Sequence, residues 1–257
     1  MRSMFSDQEI AAYRRDGFVA VPDFLSAEEL AHWRQVVDAA VSDAHAQVGT
    51  PRADVFTQRM QLRRTNPGAK GMVEDHRLGR LVAQLEGVDA VRIYLDQALV
   101  KEPYGSPTQY HLDLPWWPFD SPHSCTVWVA LDASTLENGC LYFVPGSHRL
   151  ALTAAGDLGP DLGAVFAAHP EAATPPTPCP LPAGGASIHN ARTVHGAGAN
   201  MTPGRRRAMT VAFMPDGVLF NGTRDVRVLG EDYAGSLTEG DLLANDELNP
   251  VVYAHAP

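Results

Sequence analysis

The sequence predicts a mainly β domain, either a sandwich or a barrel, with helices flanking its N-terminal part. From about residue 88 onward, short segments rich in β-forming residues alternate with turn residues, as in antiparallel sandwiches and barrels. Earlier in the chain, two helix-opening motifs precede amphipathic stretches. A length of 257 residues is close to the upper end of a single domain, so we expect one domain over residues 1–257.

Two capping boxes mark helices near the N-terminus, at residues 6–9 and 26–29. In each, a serine and a glutamate can satisfy the backbone N–H groups that a helix start leaves free. The second helix should span residues 26–46, because apolar residues recur at helical spacing and predict one buried stripe: Leu30, Trp33, Val37, Ala40 and Val41. Between the helices, residues 16–22 resemble a short strand closed by a proline, which predicts a position at a sheet edge.

The next part of the chain, residues 47–75, is interrupted by glycine and proline and gives weaker indications. We expect a strand over residues 55–62, a helix over 78–85, and a β-like stretch over 88–101. Three arginines in this part form either a solvated face or a site for an anionic ligand: Arg59, Arg63 and Arg64.

Four further β-like segments follow, at residues 126–131, 140–144, 185–190 and 206–214. The turn between the first two contains Asn138 and Gly139, a pair that readily takes the positive φ of tight turns. Residues 150–182 are rich in Ala, Gly and Pro without clear periodicity. We expect them to be an excursion from the sandwich that could cover an active site.

The composition argues against several classes of function. With 30 acidic and 20 basic residues, the formal net charge is −10, which disfavours a nucleic-acid partner and docking on anionic lipid. The N-terminal residues lack an apolar signal-peptide core, and no run of about 18 apolar residues occurs, so we expect a cytoplasmic protein. Neither a disulfide framework nor a structural zinc site is expected from the three widely spaced cysteines: Cys125, Cys140 and Cys179.

Metal-binding chemistry is indicated by residues 108–118. His111 and Asp113 lie two residues apart, so on an extended backbone both side chains would project from one face. Joined by a second histidine, they would make the facial triad that holds Fe(II) with open positions. Among ten histidines, His195 is the best candidate, because it follows a strand and precedes a glycine-rich bend, and His189 is its rival.

The order and spacing of five motifs resemble the phytanoyl-CoA dioxygenase family over roughly residues 10–215. The motifs are His111-Leu-Asp113, the strand at 126–131, the turn at 137–139, Pro145-Gly-Ser-His148, and His195-Gly-Ala-Gly-Ala-Asn200 followed by arginines. This resemblance implies a double-stranded β-helix, a cupin-like jelly-roll core on which the N-terminal helices pack. It further implies that the protein binds Fe(II) and the cosubstrate 2-oxoglutarate and uses O₂.

The resemblance also implies roles for individual residues. His195 is favoured over His189, because the family's distal histidine is the one followed by the glycine-rich bend and the arginine. Three adjacent arginines follow the distal histidine: Arg205, Arg206 and Arg207. The spacing found in the family after that histidine matches Arg206 to the arginine that holds the far carboxylate of 2-oxoglutarate. Gln109 and Trp128 match positions that line the cosubstrate pocket. The chain departs from many members by having leucine between the two proximal ligands, a side chain that should point away from the metal.

The activity implied by the resemblance is hydroxylation of a C–H bond of a small molecule, coupled to decarboxylation of 2-oxoglutarate. Desaturation, epimerisation and ring formation use the same ligands and stay as alternatives. Halogenation is disfavoured, because halogenating relatives carry a small residue where this chain has Asp113. Trp116 and Trp117 directly follow the metal motif and would form an apolar wall on the substrate side.

The sequence leaves the substrate and the oligomeric state open. A free small molecule is preferred to an acyl-CoA, because an acidic chain with few cationic clusters offers little to bind the CoA phosphates. Two competing interpretations are a cupin-like metal-binding protein without 2-oxoglutarate turnover and a non-catalytic scaffold that keeps only the fold.

Overall fold

The computed structural model of the chain describes residues 1–42, 57–150, 157–159, 162–170 and 173–255. The helices in these ranges are α1 (Asp7–Asp16), α2 (Ala27–Ser42), α3 (Leu62–Thr65), α4 (Pro67–Val73), α5 (His76–Glu86), α6 (Leu162–Ala168), α7 (Val226–Leu229) and α8 (Glu231–Ser236). The strands are β1 (Phe18–Val21), β2 (Thr57–Met60), β3 (Ala90–Lys101), β4 (Thr108–His111), β5 (Cys125–Ala130), β6 (Leu141–Phe143), β7 (Asp157–Gly159), β8 (Thr177–Cys179), β9 (Ala186–Asn190), β10 (His195–Ala197), β11 (Arg206–Pro215) and β12 (Val251–Ala254).

The strands form two antiparallel sheets. Within the described ranges, the larger sheet has seven strands in the order β1-β9-β5-β11-β3-β12, with β2 also pairing to β3. The smaller sheet has five strands in the order β7-β4-β10-β6-β8. From β3 onward the chain repeatedly crosses between the sheets, for example from β9 to β10 and back to β11. This architecture confirms the predicted mainly β fold with a jelly-roll core and flanking helices.

Side chains along the central strands of the larger sheet point alternately toward the helices and toward the smaller sheet. Val127 on β5 and Val211 and Phe213 on β11 are fully buried in a core shared with Trp33 of α2 and Leu81 of α5. The residues between them on the same strands face the smaller sheet, since side chains of a strand point alternately to its two faces. The helices therefore cover one face of the larger sheet and leave its other face for the interior between the sheets.

The interior between the sheets is narrow and partly aromatic. Trp128 of β5 and Ala208 of β11 pack against Leu141 and Phe143 of β6 in one buried cluster. The ring of Phe143 also stacks on Phe18 of β1, with ring centroids 4.5 Å apart. Trp128 and Leu141 of this cluster also line the cavity between the sheets.

Both predicted capping boxes are present. Ser6 accepts a hydrogen bond from the Glu9 backbone while the Glu9 carboxylate accepts one from the Ser6 backbone. Ser26 and Glu29 exchange the same two bonds at the start of α2. The predicted end of this second helix, residues 43–46, lies outside the described residues. β1 lies at the edge of the larger sheet, as its closing proline predicted.

Two expectations about the middle of the chain need correction. Among the described residues of 150–182, β7 and β8 belong to the sandwich, because β7 pairs with β4 and β8 pairs with β6, and these are the two edge strands of the smaller sheet. Strands of three residues at a sheet edge are fixed by backbone pairing and show no periodicity. Arg63 is not solvated: it is buried, its backbone N–H donates to Asp96, and its guanidinium donates to the Leu248 carbonyl.

No helix in the described part of the chain combines the length and the apolar character needed to cross a membrane.

Candidate metal centre

Two strands of the smaller sheet bring the candidate ligands together. His111 ends β4 and His195 begins β10, and the two residues are direct partners in the antiparallel pairing, with ring centroids 4.2 Å apart. Asp113 lies just beyond β4. One ligand atom from each of these three residues lies within 4.8 Å of the others, and no other such group occurs among the described residues.

Asp113 reaches the histidines by a turn and not by strand alternation. Its backbone has helical angles (φ −75°, ψ −47°) at the start of a 3₁₀ turn over Leu114–Trp116. The Asp113 N–H donates to the Ala191 carbonyl at 3.1 Å, which ties this turn to the segment between β9 and β10. The prediction that an extended backbone would align His111 and Asp113 is therefore wrong in its reason, although the two side chains do converge.

Hydrogen bonds to backbone carbonyls assign the same tautomer to both histidines. Nδ1 of His111 lies 2.9 Å from the Gln109 carbonyl, and Nδ1 of His195 lies 2.9 Å from the Thr193 carbonyl. Because a carbonyl can only accept, each Nδ1 carries a proton, so that Nε2 is the nitrogen of each ring left to ligate a metal. The two Nε2 atoms lie 3.7 and 3.8 Å from Oδ1 of Asp113. Two imidazole nitrogens and a carboxylate fit the donor set of a non-haem Fe(II) site.

The charge states of Asp113 and His195 suit a metal. Burial alone would raise the pKa of Asp113, but the electrostatic interactions of its carboxylate with His195, His189 and His111 hold that pKa well below its usual range. Burial, together with the neighbouring His111 and His189, lowers the pKa of His195 well below its usual value. The carboxylate is therefore ionised and the His195 ring neutral, which are the forms that coordinate metals.

His189, the rival candidate, lies on the other side of the Asp113 carboxylate. Its Nε2 is 3.4 Å from Oδ2 of Asp113, whereas His111 and His195 face Oδ1. His189 is 2% exposed, and its ring packs 4.3 Å from that of His195. The geometry thus groups His195, and not His189, with His111 around a common point.

A cavity of about 290 Å³ opens at these residues and runs between the two sheets. It extends from Arg206 and Trp128 on the larger sheet, past the three candidate ligands, to Trp116 and Trp117. A space of this size holds small molecules, and one polar end beside an apolar wall is typical of ligand sites.

Arg206 is the predicted arginine that the fold places in the cavity. It is 3% exposed, and its guanidinium lies 5.0 Å from the ring centre of Trp128 and donates to the Gly139 carbonyl at 3.2 Å. Burial lowers its pKa to about 10. Its neighbours point elsewhere: Arg205 is exposed beside Glu102, and Arg207 donates to Asp132. In the described chain, Arg206 makes no ion pair, which leaves its guanidinium free for an anion.

Lys101 is a cavity residue that sequence reasoning missed. It is fully buried at the end of β3, directly opposite Arg206 in the pairing of β3 with β11. Its Nζ donates to the carbonyls of Ser106 and Gly198, and burial together with the charge of Arg206 lowers its pKa to about 7. Only the pairing register reveals this second cation, because nothing in the local sequence distinguishes it from a lysine at a strand end.

The other predicted residues divide into two groups. Trp128, Trp116 and Trp117 line the cavity, although Trp116 is half exposed while Trp117 is 5% exposed. Gln109 is not brought to the cavity: its side chain is exposed, and its contribution is the backbone carbonyl that holds His111. Asn200 stabilises its bend, since its side chain donates to the Gly204 carbonyl and accepts from the Thr202 N–H.

The segment after β11 adds two charged residues that sequence reasoning did not select. Asp225 accepts hydrogen bonds from the buried Tyr94 hydroxyl at 3.0 Å and from Nε of Arg227 at 3.2 Å, and both charged residues line the cavity. Apolar residues of the same segment, such as Val228, pack in one cluster with Tyr94 and Trp117. This segment therefore forms part of the wall that meets a bound molecule.

Comparison with known proteins agrees with this geometry. A family model described as phytanoyl-CoA dioxygenase matches residues 13–208. The chain is 25% identical over 226 residues to a probable alpha-ketoglutarate-dependent hypophosphite dioxygenase of Stutzerimonas stutzeri, and the match covers 82% of this chain and 78% of that protein.

Two similar solved structures come from nogalamycin biosynthesis. The non-haem alpha-ketoglutarate-dependent carbocyclase SnoK has a TM-score of 0.81 and 27% identity, covering 96% of both chains. The epimerase SnoN, in complex with Fe³⁺, alpha-ketoglutarate and nogalamycin RO, has a TM-score of 0.80 and 28% identity over 96% of this chain and 98% of that one.

Proposed function

Because the chain belongs to the phytanoyl-CoA dioxygenase family of iron- and 2-oxoglutarate-dependent dioxygenases, we propose that it hydroxylates a C–H bond of a small molecule. Its cofactors are Fe(II), 2-oxoglutarate and O₂. One observation carries the proposal: three metal-ligating side chains of the right kind converge in the cavity that also contains a buried arginine without an ion-pair partner among the described residues.

His111, Asp113 and His195 would hold the iron. With three protein ligands, the metal would keep positions open for a 2-oxo acid and for O₂. Bound iron with O₂ would supply the oxidation, in which one atom of O₂ would enter the substrate as hydroxyl and the other would enter the succinate formed when 2-oxoglutarate loses CO₂. The backbone carbonyls of Gln109 and Thr193 orient the two imidazoles for this task.

Arg206 and Lys101 would hold the far carboxylate of 2-oxoglutarate. The fork of N–H donors in a guanidinium matches a carboxylate in two parallel hydrogen bonds, and a second cation opposite it adds attraction in a site shielded from water. Trp128 packs under the guanidinium and fixes its plane. The proposal gives Gln109 a part through its carbonyl, and its side chain, which is exposed, makes no contribution to this pocket.

The substrate would lie against the tryptophan wall. Trp116 and Trp117 provide an apolar surface, and Arg227, held by Asp225, provides a polar contact at the same cavity. A free small molecule suits this site better than an acyl-CoA. Arg63 is buried and its guanidinium donates to the Leu248 carbonyl, so it is not available for the phosphates of CoA.

We further propose that the protein is cytoplasmic, consists of one domain, and binds neither nucleic acid nor membranes. All three cysteines are free thiols in buried positions, in keeping with a reducing compartment. The shared core of the N-terminal helices and the larger sheet supports a single domain over residues 1–257.

A second candidate outcome is ring formation or epimerisation of the substrate. The observation that favours it is the likeness, over 96% of this chain, to a carbocyclase and to an epimerase. These outcomes use the same ligands as hydroxylation, and the position of the substrate over the iron decides between them.

The proposal is tested by measuring succinate release from 2-oxoglutarate under Fe(II), ascorbate and O₂, with a panel of small molecules. We expect slow release without substrate and faster release with an accepted one. Mass spectrometry of that substrate distinguishes a gain of oxygen from a loss of hydrogen or an unchanged mass. Asp113→Ala should bind no iron and release no succinate. Wild-type protein that holds iron but never decarboxylates 2-oxoglutarate would contradict the proposal and favour a cupin-like binding protein.

A further inference from the structure

The two carboxylate oxygens of Asp113 have different surroundings. Oδ1 faces the two Nε2 atoms of His111 and His195 and so borders the candidate metal position. Oδ2 points away from that position and accepts a hydrogen bond from Oγ1 of Thr126 at 2.7 Å. Nε2 of His189 lies 3.4 Å from the same oxygen. One oxygen is thus left for a metal while two side chains of the larger sheet contact the other.

Thr126 and His189 lie on two interior strands of the larger sheet. They are direct partners in the antiparallel pairing of β5 with β9, so their side chains project from the same face of the sheet toward Asp113. Thr126 is 7% exposed and His189 is 2% exposed. Because neither strand is at an edge of the sheet, these donors keep their position when a ligand enters.

His189 has no other polar contact that explains its burial. In the described part of the structure, neither ring nitrogen has a hydrogen-bond partner that meets the usual geometric criteria. The ring packs against Phe143 and His195, an environment that an apolar side chain would fill at lower cost. The nearest acceptor is Oδ2 of Asp113, so an Nε2–H that donates to this oxygen gives the buried ring its role.

We propose that Thr126 and His189 are positioning residues, which hold Oδ2 of Asp113 so that the carboxylate offers Oδ1 to the iron. The inference rests on the proposed function, because it assigns Asp113 as a ligand. Hydrogen bonds to metal ligands from surrounding residues orient the ligand before the metal arrives, and their loss typically weakens metal binding about 10–100-fold. The local sequence does not mark this arrangement, since both donors come from strands of the larger sheet whereas β4 belongs to the smaller sheet.

The test uses Mn(II) as a probe in the absence of O₂ chemistry. Binding is followed by the electron paramagnetic resonance signal of free Mn(II), and the spectrum of bound Mn(II) reports the symmetry of its ligands. Thr126→Val removes the hydroxyl at nearly constant shape and should weaken Mn(II) binding about 10–100-fold, with an altered bound spectrum. Thr126→Ser keeps the hydroxyl and should restore both. His189→Phe should weaken binding less, because its contact is longer.

Thr210→Val is the matched control. Thr210 is 1% exposed on the same face of the neighbouring strand β11 and lines the same cavity, but its hydroxyl contacts the Gln97 carbonyl and not Asp113. It should leave the Mn(II) affinity and the bound spectrum unchanged. The inference would be overturned if Thr126→Val bound Mn(II) with wild-type affinity, or if Thr210→Val weakened binding equally. In either case, loss of Mn(II) binding in Asp113→Ala would still support the metal triad. Wild-type protein that binds no Mn(II) would overturn the proposed function and this inference together.

Discussion

Replacing Arg206 by methionine removes the one buried guanidinium of the cavity at similar length and keeps the apolar stem. In the described structure Arg206 has a single carbonyl acceptor and no carboxylate partner, so its charge is desolvated and uncompensated without cosubstrate. That burial lowers its pKa to about 10. The substitution should therefore cost affinity for 2-oxoglutarate and cost the free protein nothing.

The size of the effect follows from the contacts that are lost. Two charge-assisted hydrogen bonds to a carboxylate contribute about 1.5–3 kcal/mol each. Lys101 stays opposite and keeps part of the attraction. We therefore expect a loss of about 3 kcal/mol, which is roughly a 100-fold rise in the Kd of 2-oxoglutarate, since about 1.4 kcal/mol corresponds to a factor of ten. Removing an unpaired buried charge should leave the urea midpoint of the apoprotein unchanged or higher.

The assay is anaerobic titration of Mn(II)-loaded protein with 2-oxoglutarate, and urea unfolding of the apoprotein in parallel. Arg205→Met is the matched control, because Arg205 is the adjacent residue, is 65% exposed along its side chain and lies beside Glu102. This control should bind 2-oxoglutarate as the wild type does. The reasoning is refuted if Arg206→Met keeps the wild-type Kd, or if both variants weaken binding alike.

Two predictions concern pH. Burial beside Arg206 lowers the pKa of Lys101 to about 7, so its positive charge is lost as pH rises through that value. The wild-type Kd of 2-oxoglutarate should rise between about pH 6 and 8. Lys101→Met should bind 2-oxoglutarate weakly, and its Kd should change less with pH. An equal change of Kd with pH in the two proteins would contradict this prediction. Burial raises the pKa of Glu86 from 4.5 to about 7, so the native state binds more protons than the unfolded state in that window. Its contribution to stability should fall by up to about 3 kcal/mol as pH rises from about 4.5 to 7, then level off. Urea unfolding should show this fall in the wild type relative to Glu86→Gln, and parallel curves for the two proteins would count against it.

Local patterns predicted much of the fold because they depend on neighbours in sequence. Capping boxes and helical periodicity located α1 and α2, and the β-like segment at 206–214 became β11, on which Val211 and Phe213 pack in the core shared with the helices. The same reasoning selected His111 and Asp113 as a pair, although the turn that brings them together depends on the distant Ala191 carbonyl. Spacing along the chain thus identified the residue types, and long-range hydrogen bonds set their geometry.

The residue roles that sequence reasoning missed are those set by pairing between strands. Lys101 reaches the cavity because β3 pairs with β11 in a register that puts it opposite Arg206, more than 100 residues later. Thr126 and His189 face Asp113 because β5 and β9 pair in the larger sheet while Asp113 follows a strand of the smaller one. Local composition carries no information about register between such segments, since many registers bury the same apolar residues.

The wall of the cavity combines residues inside and outside the region that the family model matches. The metal triad and Arg206 lie within residues 13–208, the region matched by the family model. Asp225 and Arg227 lie beyond it, in the segment that packs on Tyr94 and Trp117 and completes the cavity wall. The same ligands serve any oxidation of a C–H bond, and the bond that reacts is chosen by how the substrate lies in the cavity. We therefore infer that the segment after β11, together with the tryptophan wall, determines which small molecule this dioxygenase accepts.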